Sequence, residues 1–388
     1  MLATVVESIT TIVTFASLFY FMAALWSGRS FVHRRAPASD FAPGVSILKP
    51  LKGFDPGMYE AFASHCRQQY AGAYEILFGV SDLSDPAVAA VERLRAEFPD
   101  RSIRLIVCPE KLGLNGKISN VAQMVASAKY EYLLVNDADI HVSPRYLSRI
   151  VAGFGAPSRG KQVGMVTAPY RGMAHGTLGS KMEALGIATD FFPGVLTALM
   201  LEGGIRFGLG STLAVSRDAL AAAGGFESLV NSLGDDYELG SRIAKAGFAV
   251  VLSREVVATS VPPYRLRDFF AHQLRWARTV RDSRKAGYVG MIVTFGFPWA
   301  ILNIVASGCS LPSLALLSLV LAARITVALA IGVGILNDGQ VLRDLWLLPL
   351  RDFCAFWVWI WSFAGNSVAW RGERFLLNNG RLVRRDAD

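Results

Sequence analysis

Residues 9–26 form an uninterrupted apolar run, and residues 288–366 are apolar with few interruptions. A chain built this way is tied to a bilayer at both ends, so only the stretch between is free to fold in water. Over 388 residues the hydrophobic share is 52% and the mean hydropathy +0.36, above what soluble domains carry. The excess sits in the two apolar blocks. Residues 40–262 read as an ordinary globular sequence, long enough to bury its own core.

The first run reads as a retained anchor over 1–28, because it has Glu7 in place of a basic leader and lacks a small-residue cleavage site. Arg29, His33, Arg34 and Arg35 follow it, and Arg278, Arg281, Arg284 and Lys285 precede the second block. Positive charge at both junctions places the middle domain in the cytoplasm, on a multi-pass protein. Arginine outnumbers lysine, and Ala and Gly are abundant, a GC-rich bacterial composition that points to an inner membrane. The net charge of +8 thus belongs to membrane junctions, and the basic and aromatic array that nucleic-acid binding needs is not found. Cys66, Cys108, Cys309 and Cys354 lack metal spacing, and a cytoplasmic domain is not expected to pair them.

In the middle domain, strands expected over 45–48, 75–80, 103–107 and 132–135 alternate with helices over 58–69, 85–98 and 115–127. That alternation specifies an α/β unit with a mostly parallel sheet covered on both faces. Residues 263–287 carry Leu266, Phe270, Leu274 and Ala277 at helical spacing, an amphipathic helix for the membrane surface. Segments 289–307 and 312–336 are long enough to span, and Arg324 within the second has to face protein or snorkel. A third apolar stretch, 345–366, is broken by Pro349, Arg351 and Asp352; three spans would carry the basic tail over 367–388 outside, so one of the three stretches reads as re-entrant or interfacial and the number of spans stays open.

Ligands of such sheets collect beyond the C-terminal strand ends. There the chain places Ser81-Asp82, and Asn136-Asp137-Ala138-Asp139. Two carboxylates two residues apart on extended backbone share a face and can hold Mg2+ or Mn2+, which in turn holds a diphosphate. The loop 111–117 contains Gly113 and ends in Lys117, a cation for a leaving phosphate; Gly234-Asp235-Asp236-Tyr237-Glu238 and His272-Gln273-Leu274-Arg275-Trp276 complete the set. Their joint chemistry fits sugar transfer from a nucleoside diphosphate. Asp236 would take the acceptor proton, the metal on Asp137 and Asp139 would act as Lewis acid with help from Lys117 and Arg275, and Asp82 would recognise base or ribose. Each motif has a plainer use: helix capping for Asp82, a helix N-terminus for Asp235-Asp236, a membrane anchor for Arg275-Trp276. Gly208-Leu209-Gly210 lacks the third glycine of a dinucleotide fingerprint and reads as a tight turn feeding a strand and acceptor pocket. His65, His141 and His175 have no zinc spacing.

Taken in order, Val45-Ser46-Ile47-Leu48-Lys49-Pro50-Leu51-Lys52-Gly53, Ser81-Asp82-Leu83-Ser84-Asp85-Pro86, the 111–121 loop, Asp235-Asp236-Tyr237 and Trp370-Arg371-Gly372-Glu373-Arg374-Phe375 resemble the ceramide glucosyltransferase family, glycosyltransferase family 21. The resemblance implies a GT-A fold and an inverting transfer from a UDP-sugar to a lipid hydroxyl. It implies a metal ion, Asp82, Asp137 and Asp236 as key acids, and Arg275-Trp276 as part of a Q/R-x-x-R-W element. His272 stands where that element has Gln or Arg. The chain also looks like the bacterial hopanoid-biosynthesis members of this family, which implies N-acetylglucosamine transfer to a hopanoid polyol, with glucosylceramide synthesis as the alternative. A processive polysaccharide synthase would need more spanning helices, and a non-catalytic nucleotide-binding protein would not need Asp236.

Overall fold

The computed structural model describes residues 2–34, 40–55, 57–370 and 373–384; Arg35, Pro37, Arg371, Gly372 and Arg385 lie outside them. Strands β1 (Val45–Pro50), β2 (Tyr74–Val80) and β4 (Tyr132–Val135) are largely buried runs, and β3 (Ile103–Val107), at the sheet edge, is mostly half-buried. Runs of this kind suit a sheet covered on both faces. The intervening helices are Met58–Cys66, Ala87–Glu97 and Gly116–Val125, each close to its expected place. Short β5 (Ile140–His141) follows, then β6 (Val163–Thr167), β7 (Tyr170–Ala174), β8 (Leu213–Ser216), β9 (Ala249–Leu252) and β10 (Val257–Val261). The main sheet has the order β3-β2-β1-β4-β8-β6-β9, in which β8 alone runs antiparallel to its neighbours. A second sheet, β5-β10-β7, stands beside it. The C-terminal ends of β1, β2 and β4 therefore open on one edge, where the acidic motifs begin.

An apolar rod lies where the sequence reading has only soluble domain. Residues Leu178–Leu201 form a 24-residue helix of mean hydropathy 1.6, long and apolar enough to cross a membrane. It cannot cross. β8 follows the rod yet pairs with β4 and β6, which precede it, so both rod ends stay on one side. The rod instead packs along the N-terminal helix Leu2–His33, with Phe192 edge-on to Phe31 at 6.1 Å.

The other apolar helices long enough to span are Ala3–His33 and Leu311–Val333, and Lys285–Thr294 with Gly296–Ala306 forms a pair bent by 58°. Arg324 faces protein, as its position demands. Its Nε donates to both oxygens of Asp352 at 3.1 and 3.0 Å, and Nη1 donates to Thr189 O at 2.8 Å. Helix Leu348–Ser362 continues the turn Leu345–Leu347, and the stretch is not among the helices long and apolar enough to span; it carries Arg351 and Asp352, with Asp344 just before it, and the fold buries all three against protein.

The stretch expected to be a basic tail is folded. Strands β11 (Ser367–Trp370), β12 (Glu373–Asn378) and β13 (Arg381–Arg384) form an antiparallel sheet. Val368, Phe375, Leu377 and Leu382 pack with Leu233, and Leu382 N donates to Asn231 O at 2.7 Å. Alternating apolar residues on short strands explain the fold, and the surrounding arginines disguise it. Because this sheet packs back on Leu233 of the middle domain, any membrane crossings between 285 and 367 have to be even in number. Two crossings and a non-spanning 348–362 meet that requirement. The expected surface helix is Leu266–Ser283. Leu266 and Phe270 are exposed, whereas Leu274 and Ala277 are half-buried, because the helix also packs on Leu348–Ser362.

Candidate active site

Asn136 fixes the end of β4. Fully buried, it donates Nδ2 to Ser211 O at 2.6 Å and to Tyr146 OH at 2.9 Å, and its Oδ1 lies 3.2 Å from His65 Nε2. These bonds tie the strand end to the 208–212 turn and to helix Met58–Cys66, giving His65 a structural use. Asp137 then emerges half-exposed at the sheet edge. Lys117 Nζ stands 2.7 Å from its Oδ1, and the fully buried Lys49 of β1 donates to its backbone carbonyl at 3.0 Å. Burial lowers the Lys49 pKa to about 7, against the pull of Asp139 and Asp137.

The geometry expected for Asp139 needs correction. Residues 138 and 139 form a turn, so the pair does not project from continuous strand. The Thr259 hydroxyl on β10 donates to Asp139 Oδ2. Burial, reinforced by Asp137, pushes the Asp139 carboxyl up to about 6. The two acids stay neighbours through the turn and β10.

The 111–117 loop is welded to the third acidic motif. Asn115 caps helix Gly116–Val125 by accepting from Ile118 N, and its Nδ2 donates to Ser232 O at 2.7 Å and Asp235 Oδ1 at 3.2 Å. Lys117 Nζ thereby lies 3.7 Å from Asp235 Oδ2 as well as on Asp137. Burial would lower the Lys117 pKa, but Asp137, Asp235 and Asp236 outweigh it and hold the ammonium charged.

Asp235 and Asp236 do occupy a helix N-terminus, the first turn of Asp235–Lys245. Asp236 Oδ1 accepts from Tyr237 N at 2.7 Å. Its Oδ2 points the other way: a Cβ added to Gly210 would stand 3.2 Å from it and 3.9 Å from Asp137 Oδ2. The turn 208–212 feeds β8 as expected, and its second glycine lies between the two carboxylates. Burial, then Asp235, pushes the Asp236 carboxyl up to about 6. Asp137, Asp139, Asp235 and Asp236 outnumber Lys49 and Lys117 by four to two, so the site carries excess negative charge.

Asp82 stands apart on the exposed turn after β2. Its Oδ1 accepts from Ser84 N at 2.7 Å, which holds the carboxyl below its usual value. The neighbouring helix start belongs to Asp85, which accepts from Ala87 N. β2 is separated from β4 by β1, so Asp82 opens on the same edge about 10 Å from the acid pair.

Helix Leu266–Ser283 borders the other side. His272 Nδ1 pairs with the buried Glu183 at 2.9 Å, and its ring packs between Tyr264 at 5.4 Å and Trp276 at 4.9 Å. Tyr264 feels Glu183, Arg275 and Asp139, and burial with these acids raises its hydroxyl. Tyr170 is likewise raised, by burial and then by Asp236, Glu183, Asp137 and Asp139. Tyr170 and Tyr264 both pack on Ala184, Ile187 and Val261, beside the helix that carries Glu183. Sequence reasoning assigned no role to Lys49, Asn136, Tyr170 or Glu183. A lysine in an otherwise apolar strand was one available signal; the other three depend on contacts distant in sequence.

Among the described residues, no three His, Cys, Asp or Glu side chains are gathered so as to hold a metal by themselves. Two hard carboxylates in a negatively charged site nevertheless suit Mg2+ or Mn2+, which are bound through one or two carboxylates with the remaining oxygens from phosphate and water.

The sequence model described as glycosyl transferase family 21 matches residues 9–383. Ceramide glucosyltransferase 1 of Caenorhabditis elegans is 22% identical over 365 residues, covering 91% of this chain and 76% of the relative. Ceramide glucosyltransferase 3 of the same organism is 26% identical over 247 residues, 64% of this chain and 52% of the relative, so the match spans about half of that protein. Among solved structures, a mannosyltransferase from Pyrobaculum calidifontis in complex with GDP-Man and Mn2+ superposes with a TM-score of 0.60 at 18% identity, over 92% of this chain and 99% of that one. The superposition bears out the expected GT-A fold.

Proposed function

The chain belongs to glycosyl transferase family 21, and we propose that it moves a sugar from a UDP-sugar to the hydroxyl of a membrane lipid with inversion. The observation that carries this reading is the approach of Asp236 to Asp137 across Gly210, with Lys117 on Asp137. A diphosphate leaving group and a proton-accepting carboxylate need that adjacency. The acceptor oxygen attacks the anomeric carbon from the face opposite the diphosphate. A carbon–oxygen bond forms, the bond to UDP breaks, and the acceptor proton passes to Asp236. With a pKa of about 6, Asp236 is ionised at neutral pH yet basic enough to work.

A divalent cation on Asp137 and Asp139, with Mg2+ or Mn2+ suited to the donor set, would supply Lewis-acid stabilisation of the departing diphosphate. Lys117 and Arg275 add positive charge there, and Lys49 holds the Asp137 main chain from below. Asp82 receives the ribose or base. His272, held by Glu183, and Trp276 line the donor side. The N-terminal helix and the C-terminal pair hold this site against the cytoplasmic face of an inner membrane, where Leu266 and Phe270 contact lipid.

The donor is UDP-N-acetylglucosamine or UDP-glucose, and the acceptor on this reading is a hopanoid polyol such as bacteriohopanetetrol. Ceramide is the second reading, favoured by the two nematode relatives. Incubating membranes that contain the protein with each UDP-sugar and each lipid, then identifying glycolipids by mass, separates the two. A polymeric product would instead indicate a processive synthase.

A further inference from the structure

A cleft of about 1340 Å³ opens where the N-terminal helix ends; Phe207 and Tyr237 line it, but none of Asp137, Asp139, Asp235 and Asp236 does. Its walls come from Phe31 and Arg34, from the 158–161 turn, from the 202–207 segment that follows the apolar rod, and from β9. Arg34, Arg159, Lys161, Arg206, Lys245 and Arg254 line it, and among the described residues none of these six forms an ion pair with a carboxylate. The two acids of the cleft are already engaged, Glu255 by Arg149 and Glu202 by Arg284. Six cations thus face one concavity without protein counter-charge.

The cations are held close. A Cβ on Gly203, which has φ 64°, would stand 2.7 Å from Arg159 Nη1, so glycine lets the guanidinium lie against the main chain. Arg254 Nη1 donates to Arg34 O at 3.1 Å, joining the β9 side to the helix end. Arg34 is depressed by burial and by Arg159, which places those two charges within reach of one another.

The position indicates what they face. Trp26, 69% exposed, marks an interfacial aromatic on the N-terminal helix, and Arg34 follows about 12 Å further along it. Val32 and Leu201, next in sequence to the lining residues Phe31 and Glu202, are both exposed and offer apolar surface near the cleft. A cationic pocket at the end of a helix long and apolar enough to span, with exposed apolar side chains nearby, matches a phosphate headgroup with its acyl chains alongside. We propose that this cleft is a binding site for the phosphate headgroup of an anionic phospholipid, separate from the sugar-transfer site.

The test uses the full chain in neutral detergent, titrated with phosphatidylglycerol or phosphatidylcholine, with retained lipid counted by native mass spectrometry. Replacing Arg159, Arg206 and Lys245 together by Gln should weaken phosphatidylglycerol retention roughly a hundredfold, at about fivefold per cation. The counterpart Arg159→Lys, Arg206→Lys, Lys245→Arg should retain it, and unchanged UDP binding in both reports intact folding. Phosphatidylglycerol binding that survives in the Gln variant, or equal retention of phosphatidylcholine by the native protein, overturns the proposal. Displacement of the lipid by inorganic pyrophosphate at equal concentration also overturns it, because the site would then recognise free phosphate.

Discussion

Lys117 Nζ lies 2.7 Å from Asp137 Oδ1 and 3.7 Å from Asp235 Oδ2, so one ammonium joins the strand-end acid to the acids of helix Asp235–Lys245. Lys117→Met leaves these carboxylates to repel one another. Asp137 is 41% exposed, so the cost falls between the surface and buried limits, at about 2 kcal/mol. Thermal unfolding in detergent should report that loss, together with weaker UDP binding. Unchanged stability and unchanged UDP affinity would show that Lys117 carries neither task.

Gly210 separates the proposed base from the proposed metal ligand. Gly210→Ala places a methyl group 3.2 Å from Asp236 Oδ2, within the space a reacting hydroxyl needs. Turnover should fall roughly tenfold to a hundredfold while the melting temperature changes little. Full activity in this variant would move the acceptor away from the Asp137–Asp236 gap.

The acidic limb of the pH profile follows from Asp236. Its pKa is raised to about 6, and only the carboxylate form accepts a proton. Activity should therefore be half-maximal near pH 6, level above about pH 7 and fall about tenfold per pH unit well below pH 6. A profile that stays level down to pH 4.5 would exclude a base of this pKa.

Arg324 and Asp352 form a buried bidentate pair, with Thr189 O as a further acceptor. Arg324→Met strands the Asp352 charge and should cost about 3–5 kcal/mol, read as lost thermal stability or lost yield in membranes. Arg324→Lys should rescue only part of this, because an ammonium cannot reproduce the forked contact. Native stability in Arg324→Met would mean that the pair contributes nothing net.

How much of this was legible in the sequence follows the range of each interaction. The parallel core could be read because its strands are local apolar runs, and the acids could be placed because strand ends define the ligand edge. Lys49 was hidden because its place beneath Asp137 depends on β1 pairing with β4, in the register Leu48↔Val135. The His272–Glu183 pair joins residues 89 positions apart, and no local pattern foretells it. The rod Leu178–Leu201 shows how far hydropathy alone can go: it has the length and composition of a span, yet the sheet that encloses it forbids crossing. Charge masked β11–β13, whose apolar face is only a few residues wide.

The central claim is that Asp236 takes the acceptor proton while Asp137 and its neighbours hold the diphosphate. Its most direct measurement is glycolipid formation by Asp236→Asn in membranes, alongside UDP binding by the same preparation. The account predicts a loss of about a thousandfold or more in product with UDP affinity largely kept. Product formation near the native rate would contradict it.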